Sequence, residues 1–462
     1  MRASSWRESR AGGRRESRAD AATMLRLAIP LLINNLASAG MTTTDTVMAG
    51  HLGAVPLAAV AVGANYIGIF YLTGLGLLMA LSPTIAHAFG AQRTAAVGSY
   101  FRQSLWLAAL CGFIGVVGLL FAEPFLLSIG TPAEVAALSA RYLHAMAWGL
   151  PAMFGFLALR FSSEGIGWTR PVMYMAVGAF AVNLALNSVF MYGRFGAPAL
   201  GAVGCGVATS CAEWLLFLAM FLYVRQHRRY REFAPLARFE APQALHLSEI
   251  LKLGLPIAGS LLAEGGLFSA AGLIMGTLGA TVVAAHAIGI SCASLIFMLP
   301  LSVHSATTIH VGHRAGAGRW RDAQRAGWVG IALCVSFMCC SCVALLLLRE
   351  PIARLYTSDP AVLAIAIQLL LFAGIFQVAD GLQVGAAGAL RGFKDARVPM
   401  LLNVISYWGI GFPLAWYFGL RAGQGAAAVW LGLIAGLLVC AILLTLRYRA
   451  ISQRAVLEGK IS

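Results

Sequence analysis

Twelve apolar runs, each long enough to cross a lipid bilayer as a helix, occupy most of this 462-residue chain. Crossing the hydrocarbon core takes about 20 mostly apolar residues, and a helix satisfies the backbone hydrogen bonds of such a span internally. The runs lie at about 25–49, 56–88, 100–122, 139–159, 171–192, 199–224, 250–275, 281–310, 326–348, 362–388, 399–419 and 424–446. Hydrophobic residues make up 60% of the chain, and the gaps leave little room for a soluble domain. The sequence therefore predicts an all-α membrane protein with twelve transmembrane helices.

The distribution of Lys and Arg predicts how these helices are oriented. Of the 33 basic residues, 28 are assigned to one side of the membrane and five to the other, namely Arg141, Arg194, Arg349, Arg354 and Arg421. Basic residues are retained on the cytoplasmic side, so we expect a bacterial inner-membrane protein with both termini in the cytoplasm. The net charge of +15 is then explained by topology signals that contact anionic membrane lipids, and no nucleic-acid partner is expected.

Residues 1–23 are predicted to form a basic cytoplasmic tail. The segment is rich in Arg and Ser and has no apolar core, so it does not resemble a signal peptide and is expected to lack folded structure. Met24 directly precedes the first apolar run. The sequence leaves open whether the tail is translated or whether Met24 is the start.

An internal repeat appears when the chain is compared with itself at an offset of 226 residues. Matching pairs at this offset include Pro30 and Pro256, Gly50 and Gly276, and Arg93 and Arg319. Each half holds six spans, so both halves enter the membrane in the same direction. This predicts two six-helix bundles related by a pseudo-two-fold axis along the membrane normal. The predicted parts are an N-terminal bundle at 24–225, a cytoplasmic linker at 226–247, a C-terminal bundle at 248–447 and a cytoplasmic tail at 448–462.

Three carboxylates lie in or beside apolar runs, where ionised groups are costly. They are Asp45 in the first span, Glu264 in the seventh and Asp380 in the tenth. A charged side chain at the bilayer centre costs roughly 3 kcal/mol even on insertion scales, and such residues commonly bind an ion or a proton. The three are therefore candidate cation-coupling residues.

Uncharged oxygen-bearing side chains share helix faces with several carboxylates, because residues three, four or seven positions apart lie on one face. The groups are Asn34, Ser38 and Thr42 with Asp45; Asn183 with Asn187; Thr209 with Glu213; and Gln377 and Gln383 with Asp380. Such groups can coordinate a cation, or they can hydrogen-bond between helices, and both interpretations stay open. Glu213 is equally consistent with a cleft-facing carboxylate and with a neutral, hydrogen-bonded one.

No pattern in the sequence indicates enzymatic chemistry. There is no GxxxxGK[ST], GxSxG or HExxH arrangement, so neither ATP hydrolysis nor another enzymatic reaction is expected. His304, His310 and His313 do not all share one helix face, so no metal site is predicted there. The nine Cys show no metal-ligand spacing and are assigned to packing.

Several segments together resemble the multidrug and toxic compound extrusion (MATE) family, in its bacterial NorM-type branch. They include MTTTDTVMAGHLG, RFSSEGIGWTRPVMYM, VNLALNSVFMYG, LPIAGSLLAEGGLF and QVADGLQVGAAGALRGFKDARVP, and the resemblance covers about 25–446. It implies that Glu264 and Asp380 form an acidic cation-coupling pair. It also implies a polar network of Asp45 with Asn183, Asn187 and Thr209, and a first-span proline, Pro30, that permits bending.

The resemblance implies a secondary antiporter that exports amphipathic organic cations in exchange for Na⁺ or H⁺ by alternating access. Such a protein is expected to act as a monomer without a cofactor. The alternatives are a lipid-linked precursor flippase of the same superfamily and a membrane-embedded enzyme. A flippase is expected to hold its pyrophosphate with basic residues, which the span centres lack.

Phe376 replaces a Tyr of many relatives, which removes one oxygen ligand near Asp380.

Overall fold

The computed structural model describes the backbone of residues 2–459 and the side chains of residues 15–459. Within this part of the chain the regular structure is entirely helical. The helices are α1 (Arg2–Gly50), α2 (Ala54–Met79), α3 (Leu81–Gly90), α4 (Thr94–Leu120), α5 (Ala122–Ser128), α6 (Ala133–Ala147), α7 (Leu150–Gly165), α8 (Arg170–Phe190), α9 (Ala202–Gln226), α10 (Ala244–Thr277), α11 (Ala280–Gly316), α12 (Trp320–Tyr356), α13 (Pro360–Gly392), α14 (Arg397–Val404), α15 (Phe412–Trp416) and α16 (Gly425–Glu458). Short 3₁₀ turns occur at Arg194–Gly196 and Arg228–Tyr230, and π-helical segments at Ile405–Gly411 and Tyr417–Arg421.

These helices supply the twelve predicted spans. Eleven helical segments in the described residues are long and apolar enough to cross a membrane. The twelfth span is the pair α6 and α7, which bends by 49° where the two helices meet. Gly149 lies at this bend, where an added Cβ would press against the backbone of Ser210. The prediction of an all-α, twelve-helix membrane fold is confirmed.

The chain groups into two compact units. One contains residues 33–258 and is called the N-unit; the other contains residues 1–32 and 259–462 and is called the C-unit. Both divisions fall inside long helices, α1 and α10, each of which carries an interior proline, Pro30 or Pro256. The predicted boundaries differ, because they assign the first six spans to one bundle and the last six to the other. These boundaries stay a prediction.

The backbone of each unit shows the internal repeat. Gly53 precedes α2 with φ 119°, and Gly279 precedes α11 with φ 113°. Glycine suits both positions because it adopts positive φ without a Cβ clash. Gln92 has φ 57° and Gly318, its counterpart at the same offset, has φ 72°. Related turns thus end the second span and the eighth span.

The predicted linker packs along α4 of the N-unit. Glu240 pairs with the guanidinium of Arg102 and accepts a hydrogen bond of 2.7 Å from Ser99 Oγ. Burial raises the pKa of Glu240, but the hydrogen bonds from Ser99 and Arg102 and the charge of Arg102 outweigh burial, and the pKa lies below its usual value. A Cβ on Gly98 would overlap the carbonyl oxygen of Phe233, so the linker backbone lies directly on α4. The linker is therefore an ordered part of the N-unit.

Residues 15–23 differ from the expected unfolded tail, because they are helical and continuous with the rest of α1. Asp20 is 1% exposed. Its carboxylate lies 2.9 Å from His310 Nε2, 2.9 Å from Arg325 Nε and 3.4 Å from Arg314 Nη2. The expectation was wrong for these residues because Asp20 finds its three basic partners only when α1, α11 and α12 come together.

Candidate functional site

Asp45 lies near the end of α1 in the N-unit, where two neighbouring helices present amide and hydroxyl groups to it. Asn187 Nδ2 donates to Asp45 Oδ1 at 2.6 Å, and Thr209 Oγ1 donates to Asp45 Oδ2 at 3.2 Å. Asn187 comes from α8 and Thr209 from α9. The carboxylate is therefore held at both oxygens by side chains from separate helices.

Asn183 completes the network. Its side chain lies one turn before Asn187 on α8, and the two amides hydrogen-bond at 3.1 Å. Asn183 Nδ2 also donates to Thr209 Oγ1 at 3.2 Å. Both asparagines are 0% exposed, and Asn187 Oδ1 is a buried oxygen that accepts no hydrogen bond from the described residues. The structure thus brings together all four residues that the sequence assigned to this network.

The network offers several oxygen atoms of the kind that bind a small hard cation or a proton. Carboxylate, amide and hydroxyl oxygens are the ligands that such cations prefer. Asp45 contributes two oxygens, and the unsatisfied Asn187 Oδ1 contributes a third. A buried polar atom without a partner is costly, and a bound cation would remove that cost here.

The rest of the predicted stripe on α1 does not join this network. The Asn34 amide contacts Asn35 Oδ1 at 3.2 Å, and Thr42 Oγ1 donates to the carbonyl oxygen of Ser38 at 3.4 Å. Asn35 also accepts a hydrogen bond from Arg160 Nη2 at 3.2 Å, and Arg160 pairs with Glu164 at 2.7 Å. Glu164 lies in α7 and is 1% exposed. Pro30 is buried within α1, which continues through it, and lies in the C-unit. Its bending role stays a prediction.

The second predicted site lies in the C-unit. Asp380 on α13 is 4% exposed, and the charge of Glu264 on α10 acts on it directly. Arg391, near the end of α13, acts on Glu264. Glu264 therefore interacts with one carboxylate and one guanidinium, and these three groups carry one negative charge in excess when both carboxylates are ionised.

Polar groups with unused hydrogen-bonding capacity surround this pair. Gln377 is 1% exposed, and neither its amide oxygen nor its amide nitrogen has a partner in the described part of the chain. The same holds for Gln383 Oε1 and Tyr407 OH. Tyr407 comes from the π-helical segment Ile405–Gly411, and π-bulges occur frequently at functional sites. Unused groups of this kind can serve a ligand that enters the site.

Two of the four histidines of α11 take different partners. His304 Nδ1 hydrogen-bonds to the carbonyl oxygen of Val384 at 2.8 Å, whereas His310 pairs with Asp20.

Phe376, in place of a Tyr, packs edge-to-face against Phe268 and Trp430. This part of the C-unit is therefore apolar on one side of Asp380.

Sequence reasoning did not identify Tyr407, Arg391 or Asp20. Tyr407 lies in an ordinary apolar run, and nothing in its spacing signals the π-helical turn that presents it. Arg391 was counted with the cytoplasmic basic residues, although it lies on α13 only eleven positions after Asp380. A search for charges three turns from a buried carboxylate would have found it.

Comparisons with known proteins identify the family and the fold of this chain. The MatE family matches residues 30–189 and 256–417, and the two segments start at the offset of the internal repeat. The multidrug resistance protein NorM of Vibrio vulnificus is 40% identical over 433 residues, which cover 93% of this chain and 95% of that protein. The multidrug resistance protein PmpM of Pseudomonas aeruginosa is 39% identical over 444 residues, which cover 95% of this chain and 93% of that protein. A solved MATE structure in the bent conformation has a TM-score of 0.88 at 21% identity, covering 97% of this chain and 99% of that chain.

Proposed function

Because this chain belongs to the MatE family, we propose that it exports organic cations and drugs in exchange for Na⁺ or H⁺ by alternating access. The relatives named for multidrug resistance extend over nearly the whole chain. Their names support a transporter rather than an enzyme. We further propose that it lies in the inner membrane with both termini in the cytoplasm and acts as a monomer.

The observation that carries this proposal is the charge imbalance around Asp380. Asp380 and Glu264 interact with each other, and Arg391 supplies one positive charge against their two negative charges. Like charges repel strongly in a low-dielectric interior, so one carboxylate there holds a proton or shares a cation. A coupling cation relieves that repulsion, and an organic cation competes for the same charge.

Coupling follows from differential affinity for two states. The inward-moving ion stabilises one conformation of the transporter and the outward-moving cargo stabilises the other, so each influences the occupancy of the other. Asp45, held by Asn187 and Thr209, is the N-unit residue proposed to join this cycle. A second polar site in the N-unit would allow each unit to bind a cation separately.

The flippase alternative gains no support from the basic residues inside the spans. Arg160 is paired with Glu164, and Arg391 faces Glu264. Both guanidiniums thus balance carboxylates. A pyrophosphate cargo would instead need several uncompensated cations in one place.

The test is transport of a fluorescent organic cation into everted membrane vesicles under imposed Na⁺ or pH gradients. Asp380→Asn keeps the shape of the side chain and removes its charge, and Glu264→Gln does the same on α10. Both variants are expected to reach the membrane and to lose gradient-driven transport. Glu350→Gln is the matched control, because Glu350 is an exposed carboxylate, 56% accessible.

Transport by Asp380→Asn at the wild-type rate, normalised to protein in the membrane, would show that this carboxylate is structural. The gradient that drives the wild-type protein identifies the coupling ion. Protection of cells against anionic compounds alone would favour the flippase alternative.

A further inference from the structure

Glu213 is a fourth carboxylate in a membrane span, and neither polar site includes it. It lies on α9, four residues after Thr209, which puts both side chains on one helix face about 6 Å apart along the axis. Thr209 binds Asp45, so Glu213 lies one helical turn further along α9 from the Asp45 network.

The side chain of Glu213 is half-buried, and its Oε2 atom lacks the partners that stabilise a charge. Its Oε2 atom is inaccessible to solvent and takes part in no hydrogen bond with the residues that the structure describes. By contrast, both oxygens of Asp45 accept hydrogen bonds.

The helices packed against α9 offer Glu213 no free positive charge. Arg160 on α7 is engaged by Glu164 at 2.7 Å and by Asn35 at 3.2 Å. The neighbouring indole of Trp214 donates to the carbonyl oxygen of Trp148 at 2.9 Å instead. The titratable and charged groups on the packed helices are Tyr66 and Tyr71 on α2, Glu134, Arg141, Tyr142 and His144 on α6, Arg160 and Glu164 on α7, and Arg170 and Tyr174 on α8, and the 3₁₀ turn after α9 adds Arg228, Arg229 and Tyr230.

Among these groups, Tyr71 lies within the electrostatic influence of both Arg160 and Glu213. Tyr142 responds instead to Asp45 and Cys205, which lie closer to the start of α9. Arg141, His144, Arg170 and Tyr174 are exposed side chains. Tyr71 thus lies near both Glu213 and Arg160, and Glu213 Oε2 hydrogen-bonds to neither of them.

We propose that Glu213 is a second proton-binding carboxylate of the N-unit, separate from the Asp45 network. An unpaired carboxylate in a low-dielectric site is stable only in its neutral form. It ionises when a cation or water reaches it, and the proton then leaves. The transport cycle therefore carries a proton at Glu213 whichever ion Asp380 and Glu264 use. This inference rests on the proposed antiport, because proton release there must follow cargo entry.

Infrared spectroscopy of the purified full-length protein tests the protonated state without requiring transport. A protonated carboxyl group absorbs infrared light at a different frequency from an ionised carboxylate, and its band shifts in deuterated water. We expect Glu213→Gln to lose one such band near neutral pH and Glu213→Asp to keep a shifted one. Glu134→Gln, at an exposed position on α6, should keep the wild-type spectrum. An unchanged spectrum in Glu213→Gln would overturn the proposal.

Proton release on cargo binding tests the role of the group. Tetraphenylphosphonium is added to weakly buffered protein, and the released protons are counted per molecule of bound cation. We expect Glu213→Gln to release fewer protons than the wild type at equal occupancy, and Glu134→Gln to match the wild type. Equal release by Glu213→Gln would show that the proton does not leave on cargo entry. If the wild type does not bind the cation at all, the proposed antiport fails, while the infrared result still decides the state of Glu213.

Discussion

Replacing Asp20 by Asn should destabilise the C-unit, because Asp20 holds three basic side chains together at the start of α1. Its carboxylate is 1% exposed and contacts His310 and Arg325 at 2.9 Å each and Arg314 at 3.4 Å. The amide of Asn keeps the volume but removes the negative charge. Arg314 and Arg325 would then share only Asp322, at 3.5 Å and 3.1 Å, which is itself 29% exposed.

The expected loss follows from burial. Removing one partner of a buried ion pair costs about 3–5 kcal/mol, because a charge is left uncompensated. Arg314 and Arg325 are each 24% exposed and regain part of their hydration. We therefore expect a loss of about 2–3 kcal/mol in the free energy of unfolding, between the values for buried and exposed pairs.

The assay is denaturant unfolding of the full chain in detergent, compared for the wild type, Asp20→Asn, Arg325→Gln and the double variant. A coupling energy between the two positions separates the ion pair from general effects of each substitution. Glu350→Gln is the control, since its pair with Arg354 is exposed on both sides and should contribute nothing measurable. Additive effects of Asp20→Asn and Arg325→Gln, or no effect of either, would refute the reasoning.

Three further predictions concern the orientation and the linker. Reporter fusions after Gln226 and after Gln453 should both give cytoplasmic signals, and a periplasmic signal at either would contradict the predicted orientation. Because the pKa of Glu240 is lowered, its ionised form stabilises the N-unit fully at pH values above 4.5, the ordinary pKa of a glutamate side chain. That contribution is lost as pH falls through the folded-state pKa, so the difference in unfolding midpoint between wild type and Glu240→Gln should shrink there; a difference independent of pH would count against the pair. Gly98→Ala should expose the linker to trypsin, because its Cβ overlaps a linker carbonyl oxygen, whereas Gly178→Ala, with open space around it, should be cleaved like the wild type.

The twelve spans and the three buried carboxylates are properties that one sequence displays directly. Apolar length alone decides whether a segment crosses the bilayer, and an acidic residue within such a segment is conspicuous whatever surrounds it. The repeat is also readable from the sequence. Paired turns such as those at Gly53 and Gly279 need glycine for their positive φ, so the same residue recurs at the same offset in both halves.

The partners of each carboxylate were decided by helix packing, which brings distant positions together in ways that spacing does not encode. Asp45 could have hydrogen-bonded along its own helix to Thr42, yet α8 and α9 surround it with Asn187 and Thr209. Asp20, in a segment expected to be unfolded, became the centre of an ion cluster because α11 and α12 place three basic groups around it. Hydrophobic pattern fixes which segments become helices, whereas the electrostatic balance of a buried charge depends on which neighbours the packed helices place within a few ångströms.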